Sequence, residues 1–336
     1  MRTLQVGNNE AGQRLDRLLG KYLKEAPASF IYKMLRKKNI LLNGKKAQGQ
    51  ERLLEGDTIK LFLSDETIQK FGGEKDCEST EKVWKGARIP FTVLYEDSHV
   101  LIANKPAGLL SQKAGREDVS FIEYMTAYLM DRGELSREQL QTFKPGICNR
   151  LDRNTSGILV AGKSLPALQQ MNAVFKERRL EKYYLCIVKG KLDKRERLAA
   201  YLKKDASHNR VQVSVRQIEG SQYIETEYEP LDSKSWRGME FTLLKVHLIT
   251  GKSHQIRAHL KSIGHPLIGD GKYGYKDLTK VAKSEFNLKY QLLHAYQLHF
   301  FEMEDVLAPL SGQTITAPLP EQFLQIMDTI GFVCPY

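Results

Sequence analysis

A polar, aperiodic stretch from Asp65 to Ala87 constrains the fold more than any other feature of the sequence. It holds Gly72-Gly73 and a charged run from Glu81 to Lys85, and neither the helical nor the strand repeat of apolar side chains continues across it. Such a segment reads as a linker. The chain then divides into a small part, residues 1–64, and a large part, residues 88–336.

The small part is strongly basic. It holds thirteen Lys and Arg against six acids, a balance of +7 out of a net +11 for all 336 residues. A helix is predicted over 13–24, where Leu15, Leu18, Leu19 and Tyr22 share a face, and a second follows Pro27 with Ser29 as its cap. In the second, Ile31, Met34 and Leu35 form the apolar stripe, and Lys33, Arg36 and Lys37 fall on the opposite face, where they can lie against phosphates. Strands are expected at Ile40–Leu42 and Thr58–Leu63, with Asn43-Gly44 as a turn. Charge concentrated in this way points to a polyanionic partner, RNA or DNA, before a membrane surface.

The large part mixes strand-like runs with short helices. Phe91–Tyr95, Val100–Ala103, Tyr183–Val188, Val211–Val215, Tyr223–Tyr228 and Phe241–Leu248 are rich in strand formers. Helical patterns cover 120–141, broken at Gly133, and Leu165–Arg178, capped by Ser164. A third helix opens at Thr250-Gly251-Lys252-Ser253, with Ser253 as cap and Gly264 as terminator. Its Ile256, Leu260 and Ile263 would be buried, leaving His254, Arg257 and Lys261 to face a cleft. These elements predict an α+β fold around a largely antiparallel sheet, joined to a small N-terminal α/β domain.

Composition and spacing exclude several chemistries. With 41% hydrophobic and 27% charged residues, no apolar run of membrane-spanning length and no signal-like start, a cytoplasmic protein is expected. Cys77, Cys148, Cys186 and Cys334 are too scattered for a zinc site or a disulfide framework and read as free thiols. His254 and His259 are five apart and diverge on a helix, so no metal site is expected. Ser156 lacks the first glycine of a nucleophile elbow, and Thr155 and Ser156 are expected to hold their loop through side-chain to backbone hydrogen bonds. No phosphate-binding glycine loop is present. There remains Asp152, in the polar loop Asn149–Gly157 between Arg150 and Arg153, where an apolar run begins. A carboxylate so placed is the candidate catalytic acid.

Six short motifs, in order, resemble the RluA-type RNA pseudouridine synthases. They are Tyr95-Glu96-Asp97 with Asn104-Lys105-Pro106-Ala107-Gly108; Arg150-Leu151-Asp152 with Thr155-Ser156-Gly157; Lys182-Tyr183-Tyr184; Gly251–Arg257 with His259; Gly264-His265-Pro266 with Gly269-Asp270 and Tyr273-Gly274; and Leu293-His294-Ala295. Most of residues 11–63 is similar to a small RNA-binding domain first described in a ribosomal small-subunit protein. The resemblance implies isomerisation of uridine to pseudouridine in structured RNA, large-subunit ribosomal RNA first and transfer RNA second. It implies Asp152 as the essential carboxylate, Tyr184 as the tyrosine that stacks on the target base and removes its carbon-5 proton, and Arg257 as the partner that balances and fixes Asp152. Arg150, Thr155, His254 and Gln255, with Lys33, Arg36 and Lys37, are expected to bind substrate.

The glycosidic bond is broken and re-formed without oxidation, so no cofactor is expected. Asp152 could act as nucleophile or as base. Asn149 stands in place of the family's His and Lys252 in place of its Arg, which bears on substrate positioning. The competing expectation is a non-catalytic RNA-binding or ribosome-assembly protein. Oligomeric state is not legible.

Overall fold

The computed structural model describes residues 1–72, 89–115, 117–205 and 210–333. In the basic first part, helices α1 (Leu15–Tyr22) and α2 (Ala28–Arg36) turn their apolar stripes inward as the spacing predicts. They cover a four-stranded antiparallel sheet in the order β1-β4-β2-β3, formed by Arg2–Gln5, Ile40–Leu42, Lys45–Lys46 and Thr58–Leu61 for β1 to β4. Asn43 and Gly44, both at positive φ (49° and 72°), make the two-residue turn between β2 and β3. Pro27, not Ser29, occupies the cap position of α2, because proline's fixed φ already suits the helix entrance. Lys33, Arg36 and Lys37 are exposed.

The linker expected from Asp65 begins later than the sequence suggests. Residues Asp65–Phe71 form helix α3, whose Ser64 cap accepts from the Thr67 amide, with Asp65 and Glu66 in the first turn. Ile68 is buried in the core of the first part, and the Phe71 ring lies 4.8 Å from that of Phe30. Polar composition hid an i, i+3 apolar pair. The rest of the expected linker falls almost wholly outside the described residues, as do Cys77 and Cys334; Cys148 and Cys186 are free thiols. The first part meets the second where the Thr142 hydroxyl donates to Glu10 (2.7 Å) and the Leu165 amide donates to Asn9 (3.2 Å).

The large part is built on one mixed, mostly antiparallel sheet. Its strands are β5 (Thr92–Glu96), β6 (Val100–Lys105), β7 (Gly146–Ile147), β8 (Ser156–Gly162), β9 (Leu180–Lys189), β10 (Glu196–Asp205), β11 (Arg210–Ser214), β12 (Gln222–Trp236), β13 (Met239–Leu248), β14 (Leu293–Phe300) and β15 (Thr314–Thr316). The main order is β11-β10-β12-β13-β9-β14-β8-β6-β5, and β8 with β14 is the parallel pair. Helices α4 (Phe121–Asp131), α5 (Arg137–Thr142), α6 (Leu165–Glu177), α7 (Gln255–Ser262), α8 (Lys276–Phe286) and α9 (Glu321–Ile330) flank it. Gly133, at φ 71°, separates α4 from α5 as predicted. Alternation along β9 sends Tyr184, Cys186 and Val188 to one core, and Leu185 and Ile187 to another under α8 and α9. β10 lies outside the strands that the sequence predicts. Its Leu198, Ala200 and Leu202 do alternate inward, but Leu, Ala and Lys are residues that also favour helix.

This topology gathers chain ends from distant sequence. Lys105, closing β6, pairs with Gly157; β8 and β14 start side by side; and Tyr184 of β9 pairs with both Ala295 and Val246. Among the described residues no helix is long and apolar enough to cross a membrane.

Candidate active site

The loop bearing Asp152 is fixed at both ends. At its entrance the Asn149 side chain acts as a piece of backbone: its amide donates to Ile158 O (3.1 Å) and accepts from the Val160 amide (2.7 Å). The position where Asn departs from the family pattern therefore ties the loop to β8. At the exit, Thr155 N donates to Asp152 O (3.0 Å), and Thr155 Oγ1 accepts from Gln291 Nε2 (3.2 Å). Ser156 Oγ lies 2.8 Å from His294 Nδ1, and His294 Nε2 lies 3.2 Å from Ala317 O. A carbonyl only accepts, so Nε2 carries the proton and Ser156 donates to Nδ1. Burial pushes this imidazole down to about 4. The expected side-chain to backbone bonds of Thr155 and Ser156 are thus side-chain to side-chain bonds, because the parallel β14 brings residues 291 and 294 alongside. Gly157, at φ 111°, permits that approach; a side chain there would collide with the Ala295 carbonyl.

Lys105 supports the loop from below. It is fully buried, and its Nζ donates to the carbonyls of Pro106 (2.9 Å), Leu109 (2.8 Å) and Arg153 (3.1 Å). Burial pushes its pKa down to about 7, with the Asp152 charge opposing. Gly108 and Arg153 complete the clasp: Gly108 N donates to Arg153 O (2.9 Å), and Arg153 Nε donates to Gly108 O (3.2 Å). Lys105 escaped the sequence reading as a site residue. Its one signal was an ionisable group at the end of an otherwise apolar strand, within a recognised motif.

The charges meet at Arg257. Its Nη1 donates to Asp152 Oδ2 (2.9 Å), while Nε and Nη2 donate to Asp270 (2.7 and 2.9 Å) in a bidentate pair. Asp270 is buried, Asp152 about a quarter exposed. Burial opposes the charge on Arg257, but the bonds and charge of Asp270, then the charge of Asp152, outweigh it, so its pKa lies above the ordinary guanidinium value. Burial also opposes the Asp270 charge, and Arg257 with the amides of Tyr273 and Lys272 more than compensates, leaving its carboxyl below the usual range. His254 caps α7 in the left-handed conformation (φ 56°), a role expected of Ser253. Its Nδ1 lies 2.9 Å from Tyr273 Oη and its Nε2 3.8 Å from Asp152. Burial lowers its pKa, against the pull of Asp152.

Asp152, Tyr184, Arg257, Arg150, Thr155, His254 and Gln255 all line one cavity of about 950 Å³. Asp152 is the single acidic side chain among its described lining residues, against eleven Lys and Arg. Tyr184 is nearly buried beneath it, and burial, then the nearby Asp152 charge, raises its pKa above the ordinary phenol value. Tyr183 points away, stacking on His247 at 4.8 Å and donating to Glu181. Arg150 is exposed at the rim. The Gln255 amide is committed to the scaffold, donating to Glu225 O and Thr226 Oγ1 and accepting from Thr250 Oγ1 and Lys252 N. Two turns beyond His254, Lys261 leaves the cleft it was expected to face and sits 3.3 Å over the Tyr275 ring. Lys33, Arg36 and Lys37 lie outside the cavity lining. Among the described residues no group of three or more His, Cys, Asp or Glu is placed to hold a metal ion.

The profile of the RNA pseudouridylate synthase family matches residues 99–262, which span β6, the Asp152 loop, β9 and α7. The ribosomal large subunit pseudouridine synthase C of Vibrio cholerae is 31% identical over 299 residues, 88% of this chain and 88% of that protein. The chain belongs to the RNA pseudouridine synthase family. Another family member, the ribosomal large subunit pseudouridine synthase D of Nitrosomonas europaea, is 29% identical over 97% of this chain and 87% of its own length. The solved structure of human RNA pseudouridylate synthase domain containing 4 shares the family fold, with a TM-score of 0.57 at 20% identity over 73% of this chain and 95% of that one.

Proposed function

We propose that this family member converts particular uridines of large-subunit ribosomal RNA to pseudouridine in the cytoplasm, with Asp152 as the reacting carboxylate. The observation that carries the reading is a lone acid, ion-paired to a buried arginine, in a cavity whose other charged lining residues are all Lys or Arg. The cations attract the RNA backbone and offset the few kcal/mol needed to flip a uridine out of its stack. Asp152 Oδ2 is held by Arg257. Attack on the sugar or the uracil ring, or removal of a ribose proton, would each draw on this fixed carboxylate. The bond from nitrogen 1 to the ribose breaks, the uracil turns between Tyr184 and the loop, carbon 5 joins the ribose, and the carbon-5 proton leaves while nitrogen 1 takes up a proton in its place.

We assign removal of that proton to Tyr184, acting as the phenolate once its own proton has passed to nitrogen 1. In the resting site it is a neutral phenol, held so by burial and by the Asp152 charge. If Asp152 forms an ester its charge is gone, one of the two causes disappears, and the phenolate becomes more accessible when the proton must leave. The exposed Lys33, Arg36 and Lys37 of the first part, read as an RNA-binding domain, add affinity that does not depend on sequence.

The test is to map pseudouridine in RNA from cells lacking the gene and to rescue with wild type or Asp152→Asn. Wild type should restore the missing positions, and the purified Asn variant should be at least about a thousandfold slower. Rescue by neither protein, or equally by both, refutes the reading. Restoration confined to transfer RNA would keep the chemistry and replace the substrate.

A further inference from the structure

Tyr290 plays no part in the reaction as described above, yet it stands at the mouth of the same cavity with 36% of its surface exposed. Its position is fixed from two sides. The ring lies over Gly108, where an added methyl group would meet it at 3.6 to 3.9 Å, and Gly108 is hydrogen-bonded to Arg153, next to Asp152. The Tyr290 carbonyl presses on Gly269, where any side chain would collide with it, and Gly269 precedes Asp270. The flanking residues are anchored as well: Leu288 and Leu292 are buried, and the Leu292 amide donates to Ile268 O at 3.0 Å. The Tyr290 backbone is therefore anchored against the loop of Asp270, and its exposed ring sits beside the Gly108 turn that is hydrogen-bonded to the Asp152 loop.

We propose that Tyr290 stacks on the nucleobase adjoining the flipped uridine and so positions the RNA strand at the cavity mouth. A base pulled from a stack leaves its neighbour with an uncovered face, and an exposed, preorganised ring restores that contact without reading sequence. The exposed Lys289 beside it suits the phosphate between the two nucleotides. The lining also holds the exposed cations Lys176, Arg178, Lys204 and Arg210, which suit further phosphates of the strand.

The inference rests on the proposed reaction, and one experiment separates the two. Unmodified large-subunit ribosomal RNA transcript is treated with wild-type protein, and the modified uridine is located. No pseudouridine anywhere would overturn the proposed function and this inference with it. A stem-loop around the located uridine is then assayed intact and with an abasic site on either side, using wild type, Tyr290→Phe and Tyr290→Ala. Tyr290→Ala should raise KM by about ten- to a hundredfold with kcat little changed, and Tyr290→Phe should match wild type. An abasic site on one side should cost wild type a similar factor and cost Tyr290→Ala almost nothing more. If Tyr290→Ala stays within about twofold of wild type, or if its loss multiplies in full with the abasic loss on both sides, the stacking role is wrong. A merely structural disturbance would give that full multiplication, so it too would count against the role.

Discussion

Arg257 and the Lys33, Arg36 and Lys37 face of α2 carry the same sign of charge in opposite settings. Arg257 keeps 7% of its side chain exposed and is shared between two carboxylates; the α2 cations are exposed on a short helix. Buried in this way, a charge fixes geometry, because each partner left without it would be stranded in a medium that cannot solvate it. An exposed charge contributes a field that salt screens within about 8 Å at physiological ionic strength. The first kind of cation can orient a reacting group, whereas the second can only recruit a partner.

Removing Arg257 should therefore have the largest effect. Arg257→Ala leaves the buried Asp270 unpaired and Asp152 without its anchor, so denaturant melts should show a loss of about 3–5 kcal/mol along with loss of activity. Arg257→Lys keeps the charge but cannot make the bidentate pair and the third bond together, and should stay folded with poor turnover. If Arg257→Ala melts like wild type, the buried cluster is not what separates this region from α2.

How much of that cluster was legible from sequence depends on distance along the chain. Tyr184 is picked out by the Lys182-Tyr183-Tyr184 motif, and two-residue alternation, a local property, requires Tyr183 to face the other way, as it does. The Asp152–Arg257 pair spans 105 residues and is legible through family motifs alone. Asp270 is legible only as part of a motif, since no local repeat announces that the residue after a turn will grip a helix thirteen positions earlier. The triple bond of Lys105 to carbonyls depends on the packing of two loops. Where local signals compete, the chemistry of one residue decided the outcome: Ser64 capped a helix inside the expected linker, and the left-handed His254 displaced Ser253 as a cap.

Acid should separate the two regions next. Residues 1–72 hold no histidine, whereas His259 and His294 are buried in the large part with pKa values near 4. Burial is the first cause in both, and it lowers them from 6.5. A depressed folded-state pKa means that the unfolded chain binds protons first, so their contribution is complete above about 6.5 and falls away as pH drops toward 4. Each imidazole accounts for on the order of 3 kcal/mol over that window. Asp270, also depressed, adds its loss only below its ordinary value of 3.8. Thermal melts from pH 7 to 4 should show the large part loosening first, with the slope reduced in His294→Gln. A pH-independent melting temperature across that window would contradict the buried, neutral assignment.

The smallest effect belongs to α2. Replacing Lys33, Arg36 and Lys37 together by alanine should leave melting within about 0.5 kcal/mol of wild type, because all three side chains are exposed and Lys37 caps α2 through its backbone amide, which alanine keeps. RNA binding should weaken by roughly tenfold at physiological salt and converge with wild type as salt rises, since each lost phosphate contact removes about 0.7–0.9 from the slope of log affinity against log salt. The reaction rate at saturating RNA should be unchanged, which is the clearest contrast with Arg257. Deletion of the whole first part is a harsher version, and its boundary belongs after residue 72, because α3 packs Ile68 and Phe71 into that core. An equal salt slope in wild type and triple variant would show that the RNA reaches the cavity without touching α2. The eleven cations lining the cavity would then account for the binding by themselves.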